Sequence, residues 1–173
     1  NKAGKKEMEL PPGYSFENWE APKDIYGRDQ LFEPTGIAVA KDGTVVVATR
    51  TAGIWRIRND KWTKFAEGTY ECLGVWIEDD KGDQFVVMQK PELTRMKDSN
   101  GDGRGDSFET VCDDYGFHGN YHEYAHGPVR DKEGNYYFSL NLSHGGNERT
   151  SWRAGGPFMG SMGGYRGWAC RVT

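Results

Sequence analysis

Two stretches of the chain carry residue types whose spacing points to chemistry. The first is DSNGDGRGDSFE, residues 98–109. Side-chain oxygens fall at positions 1, 3, 5 and 9 of a loop, on Asp98, Asn100, Asp102 and Asp106, and Glu109 holds position 12. Gly103 stands at position 6, where such a loop turns sharply, and Arg104 at position 7 offers a backbone carbonyl. Ca2+ takes six to eight oxygens at short range, and this spacing wraps them around one point. The flanks do not read as helices, so the spacing predicts a calcium loop that stiffens a hairpin rather than an EF-hand. An ion held this way is structural, because ligands use every position. Without an ion the same acids would form Asx turns.

The second stretch is GNYHEYAHGP, residues 119–128. A neutral imidazole is the usual general base near neutral pH, provided that an acid orients it and one face is open. His122 precedes the first strand of its unit, which makes it the candidate base. Glu123 points to the other side if the segment is extended, whereas Asn120 and Tyr121 are candidates to line the same pocket. A histidine among aromatic residues also serves as a hydrogen-bonded structural group, so the residues alone leave both roles open. A third, glycine-rich stretch covers 141–168. His144, Arg149, Trp152 and Arg153 there suit an anionic or sugar ligand, and an ordinary surface loop has the same composition. Lys90 and Arg95 are further candidates to face the cavity, although charges on strands usually face water.

The elements that must position these residues read as strands. Glycine makes up 24 of 173 residues, and the chain has 6 Trp, 9 Tyr and 8 Phe. Glycine for tight turns plus aromatics for strands points to an all-β protein. GIAVAKDGTVVVATRTAGIWRIRNDKWTKFA (36–66) reads as four strands, with Asp42-Gly43 as a hairpin turn. LGVWIEDDKGDQFVVMQKPELTRMKD (73–98) and HGPVRDKEGNYYFSLN (126–141) repeat the pattern, and RGWACRVT (166–173) matches AGIWRIRN as a third strand. A period of roughly 40–50 residues with about four strands per unit is the signature of propeller blades. The expected fold is thus a partial β-propeller of about three four-stranded blades, near 34–66, 70–112 and 122–173. Residues 1–33 form a polar lead-in, broken by Pro11, Pro12, Gly13 and Pro22, with YSFENWE (14–20) as a short edge strand.

Three blades do not close a ring of about four to eight, and the chain stops within a strand at Val172-Thr173. The expectation is a part of a longer protein. The chain opens at Asn1, without a visible signal peptide, as a mature or trimmed form would. Net charge is −4 and the pI 5.6. Lys2, Lys5 and Lys6 read as a solvated tail, so no nucleic-acid footprint is present. No apolar run approaches the ~20 residues of a membrane span. Cys72, Cys112 and Cys170 show no CxxC spacing; one disulfide with a spare thiol and three buried thiols both fit.

FEPTGIAVAKDGTVVVATRTAGIWRI, the run from KPELTRMKDSNGDGRGDSFE to YYFSLNLS, and RGWACRVT together resemble the glucose/sorbosone dehydrogenase-like propellers, in their planctomycete-type, membrane-associated variety. The resemblance covers about residues 10–173 and implies the N-terminal half of a six-bladed propeller. It implies oxidation of a sugar or related alcohol or aldehyde. His122 would take the hydroxyl proton, and pyrroloquinoline quinone (PQQ), held with Ca2+, would accept hydride. It also implies a c-type cytochrome as partner and a periplasmic or extracellular location. Two departures stand out. Tyr121 occupies the place of the family's acid before the histidine, and the segment GTYECLG carries Thr69 and Glu71 where the family has a quinone-binding glutamine. The cations that grip the quinone carboxylates would lie beyond Thr173. A non-catalytic propeller scaffold with a structural calcium is the alternative.

Overall fold

The computed structural model describes residues 10–115, 124–141 and 168–173. Every regular element among them is a strand, in three antiparallel sheets. The first sheet runs β1 (Pro34–Val39), β2 (Val45–Thr49), β3 (Ile54–Arg58), β4 (Lys61–Ala66), with neighbours in chain order. The second repeats this with β5 (Val75–Ile77), β6 (Gln84–Met88), β7 (Leu93–Lys97), β8 (Ser107–Cys112). The third has β9 (Ala125–Arg130), β10 (Tyr136–Leu140) and β11 (Ala169–Val172). The three expected units are present as sheets. The expected edge strand at 14–20 is not: that segment is irregular, and its Tyr14 and Phe16 are exposed.

Local chemistry explains the hairpins. At the β1–β2 turn, Gly43 takes φ +87°, and the Asp42 carboxylate accepts the Thr44 N–H at 2.9 Å. At the β3–β4 turn, Asn59 and Asp60 both have positive φ, which suits the twist of the flanking strands. β2 is buried along its whole length, so its Val-Val-Val-Ala-Thr run needs no alternation.

The sheets pack face to face. Val46, Ala48, Ile54 and Phe65 of the first meet Val75, Phe85, Val87 and Met96 of the second. The other face of the second sheet, with Val86, Met88 and Leu93, meets Ala125, Tyr136, Phe138 and Leu140 of the third. The outer face of the first sheet stacks Phe32, Trp55 and Trp62 edge to face.

The first strands of the three sheets come together at a seam of glycines, one per sheet. A Cβ on Gly36 would lie 2.7 Å from the Gly74 Cα, and one on Gly74 would lie 1.8 Å from the Gly127 carbonyl oxygen. Gly74 and Gly127 also hold φ of +145° and +136°, which side chains rarely adopt. Across the seam the Gly127 N–H donates to Leu73 at 3.3 Å, and the Thr35 hydroxyl reaches the Cys72 carbonyl.

Candidate functional site

In an antiparallel meander the start of the first strand lies beside the end of the second. One backbone bond marks that corner in each sheet: Arg50 N–H to Glu33 O, Lys90 to Tyr70, and Asn141 to Tyr124, at 3.0, 3.0 and 2.8 Å. These corners stand at the same end of the three sheets and form a common rim.

Charges converge on this rim. The Glu71 carboxylate accepts from Arg50 Nε and Nη2, both at 3.0 Å, and from Lys90 Nζ at 2.7 Å. Arg50 also pairs with Glu33 at 3.7 Å. The Lys90 ammonium lies 4.6 Å from the Tyr124 ring centre and 5.7 Å from that of Tyr70, within cation–π range. Lys90 is only 2% exposed, so of its two expected orientations it takes the inward one rather than the usual one toward water. A buried ammonium needs a counter-charge, and Glu71 supplies it from the neck before β5. Glu71 does so at φ +48°, unusual for a residue with a side chain. Burial opposes ionisation of Glu71, but the hydrogen bonds from Lys90 and Arg50 outweigh it and hold the carboxyl below its ordinary range.

A second carboxylate behaves alike at the far end of the sheets. Glu78 accepts from Arg95 Nε at 2.7 Å and from the Tyr136 hydroxyl. Burial again works against ionisation, and these bonds again win. Arg95 is half-buried between Glu78 and Glu109 rather than turned freely to water. Because both carboxyls titrate lower in the fold than in the unfolded chain, their stabilisation is complete above the ordinary glutamate value of about 4.3. It is lost as pH falls through their folded values. Thermal melts from pH 7 to pH 3 should therefore show Tm falling steeply below about pH 4.3, and Glu78→Gln should flatten that fall. An equally steep acid limb in the variant would contradict the assignment.

The 98–109 loop stands at the end of the second sheet opposite the rim, between β7 and β8. Asp98 accepts the N–H groups of Gly101 and Gly103 at 2.7 and 2.8 Å and pairs with Arg56 at 3.3 Å. Asn100 and Asp102 bond each other and the Asp102 and Arg104 amides, while Asp106 accepts from Ser99. Glu109 lies on β8, opposite Arg95, and bonds it at 2.7 Å. Among the described residues no group of three or more His, Cys, Asp or Glu is arranged to hold a metal ion. The loop residues thus fit calcium only in part: four share one turn, and Glu109 is occupied elsewhere. An ion there would sit five residues along β6 and β7 from the rim, about 17 Å away, so its role would be structural.

Arg56 makes the loop a clasp between sheets. Its side chain is 5% exposed, it bonds Asp83 as well as Asp98, and its guanidinium lies 4.9 Å from the Phe65 ring centre. The Gly105 N–H completes the clasp on the Phe65 carbonyl at 2.9 Å.

His122, Asn120, Tyr121 and Glu123, with His144, Arg149, Trp152 and Arg153, lie outside the described residues. Tyr124, next in the chain after Glu123, is on the rim. His126, on β9, has its ring 6.3 Å from that of Tyr124. The rim cluster itself is missing from a residue-by-residue motif reading. Its signal is positional: a polar or aromatic residue before each first strand and after each second strand.

No family model matches the chain, and no curated protein matches it. A solved structure of a luciferin-regenerating enzyme is similar over 67% of this chain, at 13% identity and a TM-score of 0.49. The chain spans 39% of that structure's length.

Proposed function

We propose that the three sheets are successive blades of a β-propeller and that their rim binds a sugar or a related polyhydroxyl compound. The observation that carries this reading is the meeting of Arg50, Glu71 and Lys90 with Tyr124, two residues along the chain from His122. Aromatic rings offer a flat face to the C–H side of a sugar ring. Arg50 and Glu33, the more exposed charges of the rim, offer a strong donor and a strong acceptor to its hydroxyls. The meander order of each sheet and the glycine seam between first strands support the blade assignment. A count of six blades rests on the resemblance alone, as do the c-type cytochrome partner and a periplasmic or extracellular location, membrane-associated or not. Among the described residues no helix is long and apolar enough to cross a membrane. Calcium in the 98–109 loop belongs to the same proposal, supported by the oxygen spacing of Asp98, Asn100, Asp102 and Asp106.

The fuller form of the proposal is a quinoprotein-like oxidoreductase, with His122 as the base that takes a hydroxyl proton and PQQ as the hydride acceptor. The described residues do not supply the quinone's grip. Glu71 lies in the segment where the family carries a glutamine, and its carboxylate already holds both rim cations. The same carboxylate favours the second reading, a non-catalytic binding scaffold. Titration of the protein with PQQ and Ca2+, followed by absorbance, separates the two. Binding in wild type and in His122→Ala, with an aldose reducing the quinone only in wild type, establishes oxidation. Absence of quinone binding in both leaves the scaffold.

A further inference from the structure

The groove between the second and third sheets holds two thiols. Cys112 ends β8, the last strand of the second sheet, where it pairs with Leu93. Cys170 lies on β11, paired with Phe138. Both line one groove of about 450 Å3, together with Tyr115, Phe138 and Val172. Both pack against the same apolar cluster and both are half-buried. No disulfide joins the three cysteines, and Cys72 differs from the other two. It is fully buried beneath the glycine seam, and burial pushes its thiol up to about 12. A thiol so placed is inert, since exchange needs an accessible thiolate. Burial also raises the Cys170 thiol, and the neighbouring Cys112 raises it further, as expected for two sulfurs sharing one groove.

We infer that Cys112 and Cys170 form a redox pair that closes into a disulfide between the second and third sheets, with Cys72 as the thiol left over. The oxidant is a low-molecular-weight disulfide. The Cys112 thiolate attacks one of its sulfurs and expels a thiolate. The Cys170 thiolate then attacks the Cys112 sulfur of the mixed disulfide and expels the second. Two protons and two electrons leave the protein, and one small disulfide becomes two thiols. The bond would staple β8, which directly precedes the chain segment 113–124 leading to the third sheet, to β11 of that sheet. That segment includes His122. Oxidation would therefore fix one anchor point, the end of β8, of the stretch proposed to carry the base.

The test is incubation of the folded protein with glutathione disulfide, then thiol counting in denaturant and peptide mapping without reductant. The expected result is a fall from three titratable thiols to one. A cross-linked peptide pair joining residues 112 and 170 should accompany it, with a mass two hydrogens lower and a Tm rise of about 5–10 °C. Cys72→Ser should leave the cross-link unchanged, whereas Cys112→Ser and Cys170→Ser should each abolish it. Three surviving thiols, a stable glutathione adduct on Cys112, a cross-link that includes Cys72, or a link between two molecules would each overturn the inference.

Discussion

Replacing Gly74 with alanine is expected to leave the protein without its native packing at 25 °C. The added Cβ would sit 1.8 Å from the Gly127 carbonyl oxygen, and the residue would have to keep φ at +145°. Backbone, not a flexible side-chain end, is in the way. The first strands of the second and third sheets would have to separate, which breaks the Gly127–Leu73 hydrogen bond and opens both inter-sheet cores. We expect a loss of at least about 4–5 kcal/mol, at the extreme of single substitutions and a large share of the about 5–15 kcal/mol that a domain has. Gly43→Ala is the matched control. Gly43 also has positive φ, at +87°, but nothing lies within 4 Å of its would-be Cβ. It should lose only about 1 kcal/mol, the conformational cost alone. Equal losses in urea denaturation of the two variants would show that close approach at the seam is not what Gly74 serves.

The second large effect is expected at Arg56. Arg56→Met keeps most of the apolar stem but removes the charge between Asp83 and Asp98. The Asp98 side chain is 1% exposed, so it would be left as a buried carboxylate with only the Gly101 and Gly103 amides to satisfy it. Breaking a buried pair from one side costs about 3–5 kcal/mol. Asp98→Asn in the same background removes the stranded charge and keeps an acceptor for one amide. The double variant should recover part of the loss, so the two effects will not add. A double variant as unstable as the sum of the singles would mean that the clasp holds by packing rather than by charge.

The strands were legible because the turns are chemically explicit. Asp42-Gly43 and Glu133-Gly134 cut the chain between apolar runs, and the runs became β1, β2, β9 and β10. The third-strand match of RGWACRVT to AGIWRIRN became β11 beside β10, as β3 lies beside β2. YSFENWE alternates like a strand but has no partner among the described strands, and alternation alone does not supply one. The glycine seam was open to view as TGI, LGV and HGP, one in each repeat. A turn reading assigns such glycines to bends, and close approach shows only when three strands are placed together. The inward turn of Lys90 was left undecided for a similar reason. Charge on a strand points to water unless a counter-charge waits inside, and Glu71 comes from another segment, 19 residues away. The loop spacing at 98–109 is plain in the chain itself. It could not reveal that Arg56, 42 residues back in the chain, contacts its first carboxylate.

The central claim is that the rim binds a sugar beside Tyr124. It is tested most directly by calorimetric titration of wild type and Tyr124→Ala with a panel of aldoses at pH 7. Phe108→Ala, on exposed β8, serves as the control. The account predicts saturable binding of at least one aldose to wild type and to the control. Tyr124→Ala should bind it about tenfold more weakly, a loss of about 1.4 kcal/mol. No binding of any aldose to folded protein, or affinity that Tyr124→Ala leaves unchanged, would contradict it.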